Sequence, residues 1–304
     1  MKWMKFILLF ILLFILLSTV SALEIGSSYR IGNLTLDQVD DADFTGYKSN
    51  DYSSWGLSAW ATHFVNDKMK IDAGFYSDFI LKKISYTMVS YTESFLSIGI
   101  GSCFGFFNAD WNTILKPGIS TYIKFEIPAL LFLSLRTDSS LASRLVIKND
   151  YIQERTDISF GFYVKNAICT LNWFSRKFTQ KKADYEVIDS LNDYFFNAHL
   201  FQKNVPYRVT IKFAYQNMAR IFSDDVATTT FTLNSIVVGT KIELDITDAL
   251  FVFVDVDNSM YSFGMHELSN TIMTQYAFRG SAGIELDLDR LAPEPIVEEE
   301  SLIF

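Results

Sequence analysis

Between residues 206 and 216 the chain reads PYRVTIKFAYQ, and its chemistry changes at every step. Tyr207, Val209, Ile211, Phe213 and Tyr215 share one face, while Arg208, Thr210, Lys212, Ala214 and Gln216 share the other. A period of two predicts a β-strand whose faces meet different surroundings. The same alternation recurs along the chain. MKIDAGFYSD sets Lys70 and Asp72 against Met69, Ile71, Ala73 and Phe75. GISTYIKFEI sets Lys124 and Glu126 against Ile123, Phe125 and Ile127, and KIELDI sets Lys241 and Glu243 against Ile242, Leu244 and Ile246. TDISFGFYVK carries Ile158, Phe160, Phe162 and Val164 on one face. No long segment shows a helical period, so the pattern predicts an all-β protein.

The greasy face meets either a protein core or lipid, and stripe length helps to distinguish them. Tyr207 to Tyr215 spans roughly 26 Å along a strand. A strand tilt of about 40° leaves roughly 20 Å along the membrane normal, close to the ~25 Å apolar band of membrane barrels. Tyrosine at both ends of the stripe suits the two interfacial girdles. Past residue 22 the longest apolar runs have about six residues, against the roughly 20 that a helix needs to span. If the chain crosses a membrane it does so as a closed barrel, the other spanning solution.

The breaks between alternating segments come in two kinds. Tight joints are expected at Asn66-Asp67, Thr92-Glu93, Pro128-Ala129, Lys165-Asn166, Asn204-Val205 and Thr247-Asp248, with a further turn at residues 81–83. Longer polar stretches are expected near residues 34–51, 108–117, 137–154, 179–191, 218–226 and 257–270. Short turns at one end and long loops at the other predict a transmembrane antiparallel up-and-down β-barrel of about 12–14 strands.

Composition adds the compartment. Lys2 and Lys5 precede an unbroken apolar run at residues 6–17, followed by small residues up to Ala22. That is the layout of a secretory signal peptide over residues 1–22, with cleavage after Ala22. The barrel then occupies residues 23–290, and residues 291–304 form a Pro- and Glu-rich acidic tail. The formal net charge of −9, with no basic run, excludes nucleic acid as a partner. Two cysteines, Cys103 and Cys169, do not make a disulfide scaffold. Cys169 lies in the alternating stretch AICTLNWF, which predicts an unpaired thiol, buried or facing lipid.

SAGIELDL, residues 281–288, resembles the sorting signal of bacterial outer-membrane β-barrels, a polar residue, a glycine and two apolar positions in the last strand. Ser281, Gly283, Leu286 and Leu288 occupy those positions, and the chain runs on for about 16 residues past them. The resemblance implies residence in the bacterial outer membrane, among its lipids, and insertion by the barrel-assembly machinery.

Motifs for chemistry are sparse. His63, His199 and His266 have no neighbour at zinc-ligand spacing, and neither G-x-S-x-G nor C-x-x-C occurs. DQVDDAD at residues 37–43 and DVDNS at residues 255–259 are acidic without calcium-loop spacing. No enzyme, cofactor or metal is expected. If the apolar faces meet lipid, Lys70, Asp72, Lys124, Glu126, Arg208, Lys212, Lys241, Glu243, Glu285 and Asp287 line the lumen. The expected function is a porin-like channel for passive or loop-gated passage of small solutes, with a mild cation preference from the net acidity. Three alternatives stay open. One is a filled barrel serving as a surface scaffold or adhesin, with residues 37–50 and 137–150 as binding surfaces. The second is a hydrophobic-ligand transporter, hinted at by Tyr76, Tyr122 and Tyr163. The third is a secreted soluble β protein.

Overall fold

The computed structural model describes residues 23–35, 48–78, 82–109, 112–140, 151–181, 185–201, 205–266, 271–274 and 278–288. The expected leader with its Ala22 cleavage point, the acidic tail and the DQVDDAD stretch lie outside the described residues. The strands are β1 (Leu23–Thr35), β2 (Lys48–Asn66), β3 (Met69–Asp78), β4 (Lys82–Glu93) and β5 (Leu96–Ala109). They continue as β6 (Asn112–Ile127), β7 (Leu131–Ser139), β8 (Tyr151–Val164), β9 (Ala167–Lys181) and β10 (Tyr185–Phe201). The last are β11 (Tyr207–Asp224), β12 (Thr228–Asp245), β13 (Leu250–His266), β14 (Thr271–Thr274) and β15 (Phe278–Asp287).

Each strand from β1 to β13 pairs antiparallel with the next, β13 pairs with β15, and β15 returns to β1. The short β14 pairs with the far end of β13, on the side that β15 occupies lower down. Fifteen segments therefore make a closed, up-and-down barrel of 14 strands, sealed where β15 meets β1. The turn expected at residues 81–83 is real in its effect: β3 and β4 are separate strands, paired from Met69↔Tyr91 to Asp78↔Lys82.

Register sorts the side chains into two populations. Ile100, Ile123, Leu133, Leu171, Ile211, Phe213, Ile242 and Ile284 all stand on the outer face, and Ile100 keeps 68% of its surface exposed. In water such a face would be untenable at this size, and lipid is the medium that accommodates it. On β9–β12 the outer band ends in a row of stacked rings, Trp173–Tyr194 at 6.5 Å and Tyr194–Tyr215 at 6.3 Å between centroids. Asn192 and Asn234 accept hydrogen bonds from Trp173 Nε1 and the Tyr215 hydroxyl, 3.3 and 2.7 Å. Rings followed by amides mark a membrane–water boundary.

Inside, large rings lie over glycines on the neighbouring strand. Trp60 covers Gly26, Tyr86 covers Gly74, Phe132 covers Gly161 and Phe253 covers Gly283. Only a residue without a Cβ leaves room for that contact. Cys103 is buried on the inner face and Cys169 points outward, and both are free thiols.

Four of the expected tight joints fall in connections between strands: 67–68, 128–130, 165–166 and 246–249. The joint expected at Thr92-Glu93 sits two residues on, at Ser94-Phe95, with Ser94 at φ 53°. At the other end the reading needs correction. Stretches at residues 108–117, 179–191, 218–226 and 257–270 were expected to be loops, yet strands occupy most of each. Beyond the tyrosine row both faces meet polar surroundings, so the strands continue while the alternation that betrays them fades.

Candidate solute pathway and central cavity

Charged side chains gather on the inner face in two belts. The belt near the tight turns contains most of the residues expected to line the lumen. Lys70 and Asp72 on β3 are 3.1 Å apart, and Lys241 and Glu243 on β12 are 2.6 Å apart. Lys124 and Glu126 on β6 form a third pair, and Arg208 on β11 reaches Asp245 on β12 at 2.8 Å. Two residues apart on one strand means the same face, so a basic-x-acidic triplet builds its own ion pair. The Thr62 hydroxyl donates to Asp72 (2.8 Å) and the Tyr163 hydroxyl to Glu126 (2.6 Å). Lys124 and Glu126 keep 28% and 33% of their side-chain surface exposed, so this belt is hydrated. Register places Glu285 and Asp287 on the same face of β15.

Ser281 and Gly283 also lie on the inner face of β15, while Leu286 lies on the outer one. Leu288 donates its backbone N–H to the Leu23 carbonyl at 2.9 Å, where the last strand meets the first.

The second belt sits at the level of the stacked ring row, because its Phe174↔Asp193 pair is flanked in sequence by Trp173 and Tyr194. Of its members only Lys212 is among the residues expected to line the lumen. On one wall Asp157 receives both Arg155 and Arg176, and wholly buried Asp138 stands 3.4 Å from Arg136 and 3.7 Å from Arg155. On the facing wall Lys212 sits between Asp255 and Asp257, and Arg279 bonds Asp257 at 2.9 Å with Asp193 at 3.9 Å. The triplets Arg136-Thr137-Asp138 and Arg155-Thr156-Asp157 repeat the basic-x-acidic spacing of the other belt. Arg136 and Asp138 straddle the edge of the polar stretch expected near residues 137–154 and Arg155 stands just past its other edge, so neither triplet lies wholly within a clearly alternating segment.

Between the two walls lies a cavity of about 360 Å³. Six basic side chains line it, Arg30, Arg136, Arg155, Arg176, Lys212 and Arg279, against three acidic ones, Asp193, Asp255 and Asp257. Aromatic side chains form much of the remaining wall, together with serines and small or aliphatic residues. The Arg136 guanidinium lies 3.9 Å over the Tyr86 ring and that of Arg155 lies 4.8 Å over Tyr76. The two tyrosines are themselves in ring contact at 6.4 Å. The volume is within the range of sites for small molecules, at its lower end.

No protein-family model matches this chain, and a search of curated proteins gives no match. Among solved structures, the chain is similar to a bacterial polysaccharide outer membrane secretin, at 10% identity and a TM-score of 0.46, covering 88% of this chain and 98% of that one. It is similar to OmpT, an outer membrane protein of Vibrio cholerae, at 9% identity and a TM-score of 0.39, over 87% and 96% of the two chains. A third similarity is to an anion-selective porin from Comamonas acidovorans, at 10% identity and a TM-score of 0.32, over 87% and 98%. The barrel assignment rests on the strand pairings of this chain alone.

The remaining candidate chemistry is quickly placed. His199 is on the inner face with its Nδ1 2.9 Å from the Thr210 hydroxyl, and His63 is on the outer face of β2. The side chain of His266 lies outside the described residues. Among the described residues no three His, Cys, Asp or Glu side chains gather as ligands for a metal ion.

Proposed function

We propose that this protein is an outer-membrane channel through which small water-soluble solutes pass. The observation that carries the reading is the division of one closed sheet into a lipid-compatible outer face and a charged inner face surrounding a central cavity. Charge inside a membrane-spanning structure is costly unless it is paired or wet, and here it does both. The expected leader would deliver the chain across the inner membrane. The β15 sequence around Gly283 would present it to the barrel-assembly machinery. No catalytic role is proposed.

Overall acidity favours cations at the mouths of such a pore, but the charge is not spread evenly along the path. The cavity lining is richer in basic side chains, so selectivity at the narrow level is expected to lean toward anions. Recording the purified barrel in a planar bilayer under a salt gradient tests both statements. Discrete current steps support passage, and the sign of the reversal potential gives the selectivity. An inserted but silent protein would sink the channel reading.

A second reading is favoured by the rings packed over Gly26, Gly74, Gly161 and Gly283 on the inner face. In it the barrel is closed and serves as a scaffold whose loop end binds partners. The same recording separates the two.

A further inference from the structure

We infer that the cavity is a binding site for a small aromatic carboxylate, held by Arg136 and Tyr76. The site needs only the folded barrel. The suggestion that its ligand is also the transported solute rests on the channel reading above.

Three observations converge on one wall. First, the wall built by β7, β8 and β9 carries three arginines, Arg136, Arg155 and Arg176, against two carboxylates, Asp138 and Asp157. One positive charge is left over in a place largely removed from water. On the facing wall Lys212 and Arg279 are matched by Asp193, Asp255 and Asp257, so the surplus is local.

Second, the donors that an anion would use are present and without a hydrogen bond, although Arg136 Nη2 is ion-paired with Asp138 at 3.4 Å. Nε and Nη2 of Arg136 and the Tyr76 hydroxyl are buried and make no hydrogen bond within the protein. Buried donors without acceptors are rare and costly, on the order of 1–3 kcal/mol each. Asp138 stands close to Arg136 but its oxygens make no hydrogen bond to it either. It neutralises charge without occupying the donors. A carboxylate accepts two parallel N–H bonds from one edge of a guanidinium, the geometry that distinguishes arginine from lysine.

Third, the surface beside those donors is aromatic. Arg136 stacks on Tyr86, Arg155 on Tyr76, and the two rings touch. Trp60, Phe174 and Phe195 complete an aromatic lining. A flat apolar ring gains edge-to-face packing against such a lining, a contact that inorganic anions or flexible acids do not make. Net charge, donor geometry and aromatic lining thus specify the two halves of one ligand.

Benzoate is the probe. The barrel, purified from the membranes of a diderm host expressing the full chain, is titrated with benzoate by calorimetry in non-ionic detergent. Saturable binding at one site per chain is expected. Arg136→Met should weaken it at least about tenfold and Tyr76→Phe by a smaller factor. Tyr76→Phe removes one oxygen and keeps the stacked ring, so it separates lost binding from lost folding. No saturable heat, or heat unchanged in both variants, overturns the site. Acetate binding as tightly as benzoate overturns the aromatic class. Bilayer recordings on the same sample keep the two readings apart. Current without benzoate binding removes the site and leaves the channel, while binding in a silent barrel removes passage and leaves the site.

Discussion

The ring of Phe132 on β7 lies so close over Gly161 on β8 that a Cβ on the glycine would stand 2.2 Å from ring carbon Cε1. The contact is cross-strand and directly opposed, since Phe132↔Gly161 is a register pair. It ties the choice of one residue to the choice of another on the next strand.

Gly161→Ala should therefore force the ring aside and destabilise the barrel by about 1–3 kcal/mol, the usual range for overpacking. Adding Phe132→Leu should recover part of the loss. Urea unfolding of the two single variants and the double variant in micelles measures the coupling, and strictly additive effects would count against it.

Arg220 on β11 and Asp189 on β10 form a two-pronged pair at 2.7 and 2.9 Å, with side chains 1% and 2% exposed. Removing one partner strands a buried charge. Arg220→Met is expected to cost about 3–5 kcal/mol, and the double change Arg220→Met with Asp189→Leu much less than that. A double variant as unstable as the single one would show that the pair's role is shape rather than charge.

At the β2–β3 and β4–β5 turns, Lys68 Nζ and the Tyr91 hydroxyl both donate to Glu93, at 2.6 and 2.7 Å. The hydrogen bond from Lys68, then that from Tyr91, then the charge of Lys68 hold the Glu93 carboxyl below its ordinary value. The hydrogen bond to Glu93 and its charge hold Lys68 above its own. A lowered carboxylate contributes stability above its unfolded-state pKa and loses it as pH falls through the folded one. A raised lysine contributes below its unfolded-state pKa and loses it as pH rises through the folded one. The contact should thus be intact across neutral pH and fail at both extremes. A carboxyl NMR titration should find Glu93 titrating low, and Lys68→Met should return it toward the ordinary range. An unmoved midpoint would refute the assignment.

Ala129, in the β6–β7 turn, has φ of 58°, a left-handed backbone that an alanine adopts at a cost. Ala129→Gly is expected to stabilise by about 0.5–1 kcal/mol, net of the added freedom of the unfolded chain. A lower urea midpoint would contradict this.

The lipid-facing half of the fold was legible in the sequence, and the reason is contrast. Where Ile211 and Phe213 alternate with Lys212 and Ala214, one face meets hydrocarbon and the other water, so the period is unmistakable. At Asp189 and Arg220 no such contrast exists, and paired strand residues read as loop. The basic-x-acidic spacing of Lys70-Asp72 and Lys241-Glu243 was visible because it lay within clear strands. The same spacing at Arg136-Asp138 and Arg155-Asp157 held the more enclosed charges and was passed over. Nothing in linear order brings Arg136 beside Tyr86 or Tyr76 beside Arg155. Those stacks depend on ring closure and on which strands become neighbours.

The pairing of β1 with β15, from Glu24↔Asp287 to Gly32↔Arg279, has a consequence for biogenesis. Its two sides are separated by nearly the whole chain, so no part of this seam exists until the C-terminal strand has been made and brought into place. Until then β1 and β13 present bare edges, inviting pairing with other chains and attack by proteases. A nascent chain stopped before residue 278 would be an open, sticky sheet awaiting its last stave. Keeping the unfinished polypeptide apart from its neighbours is thus a demand made by the ring itself.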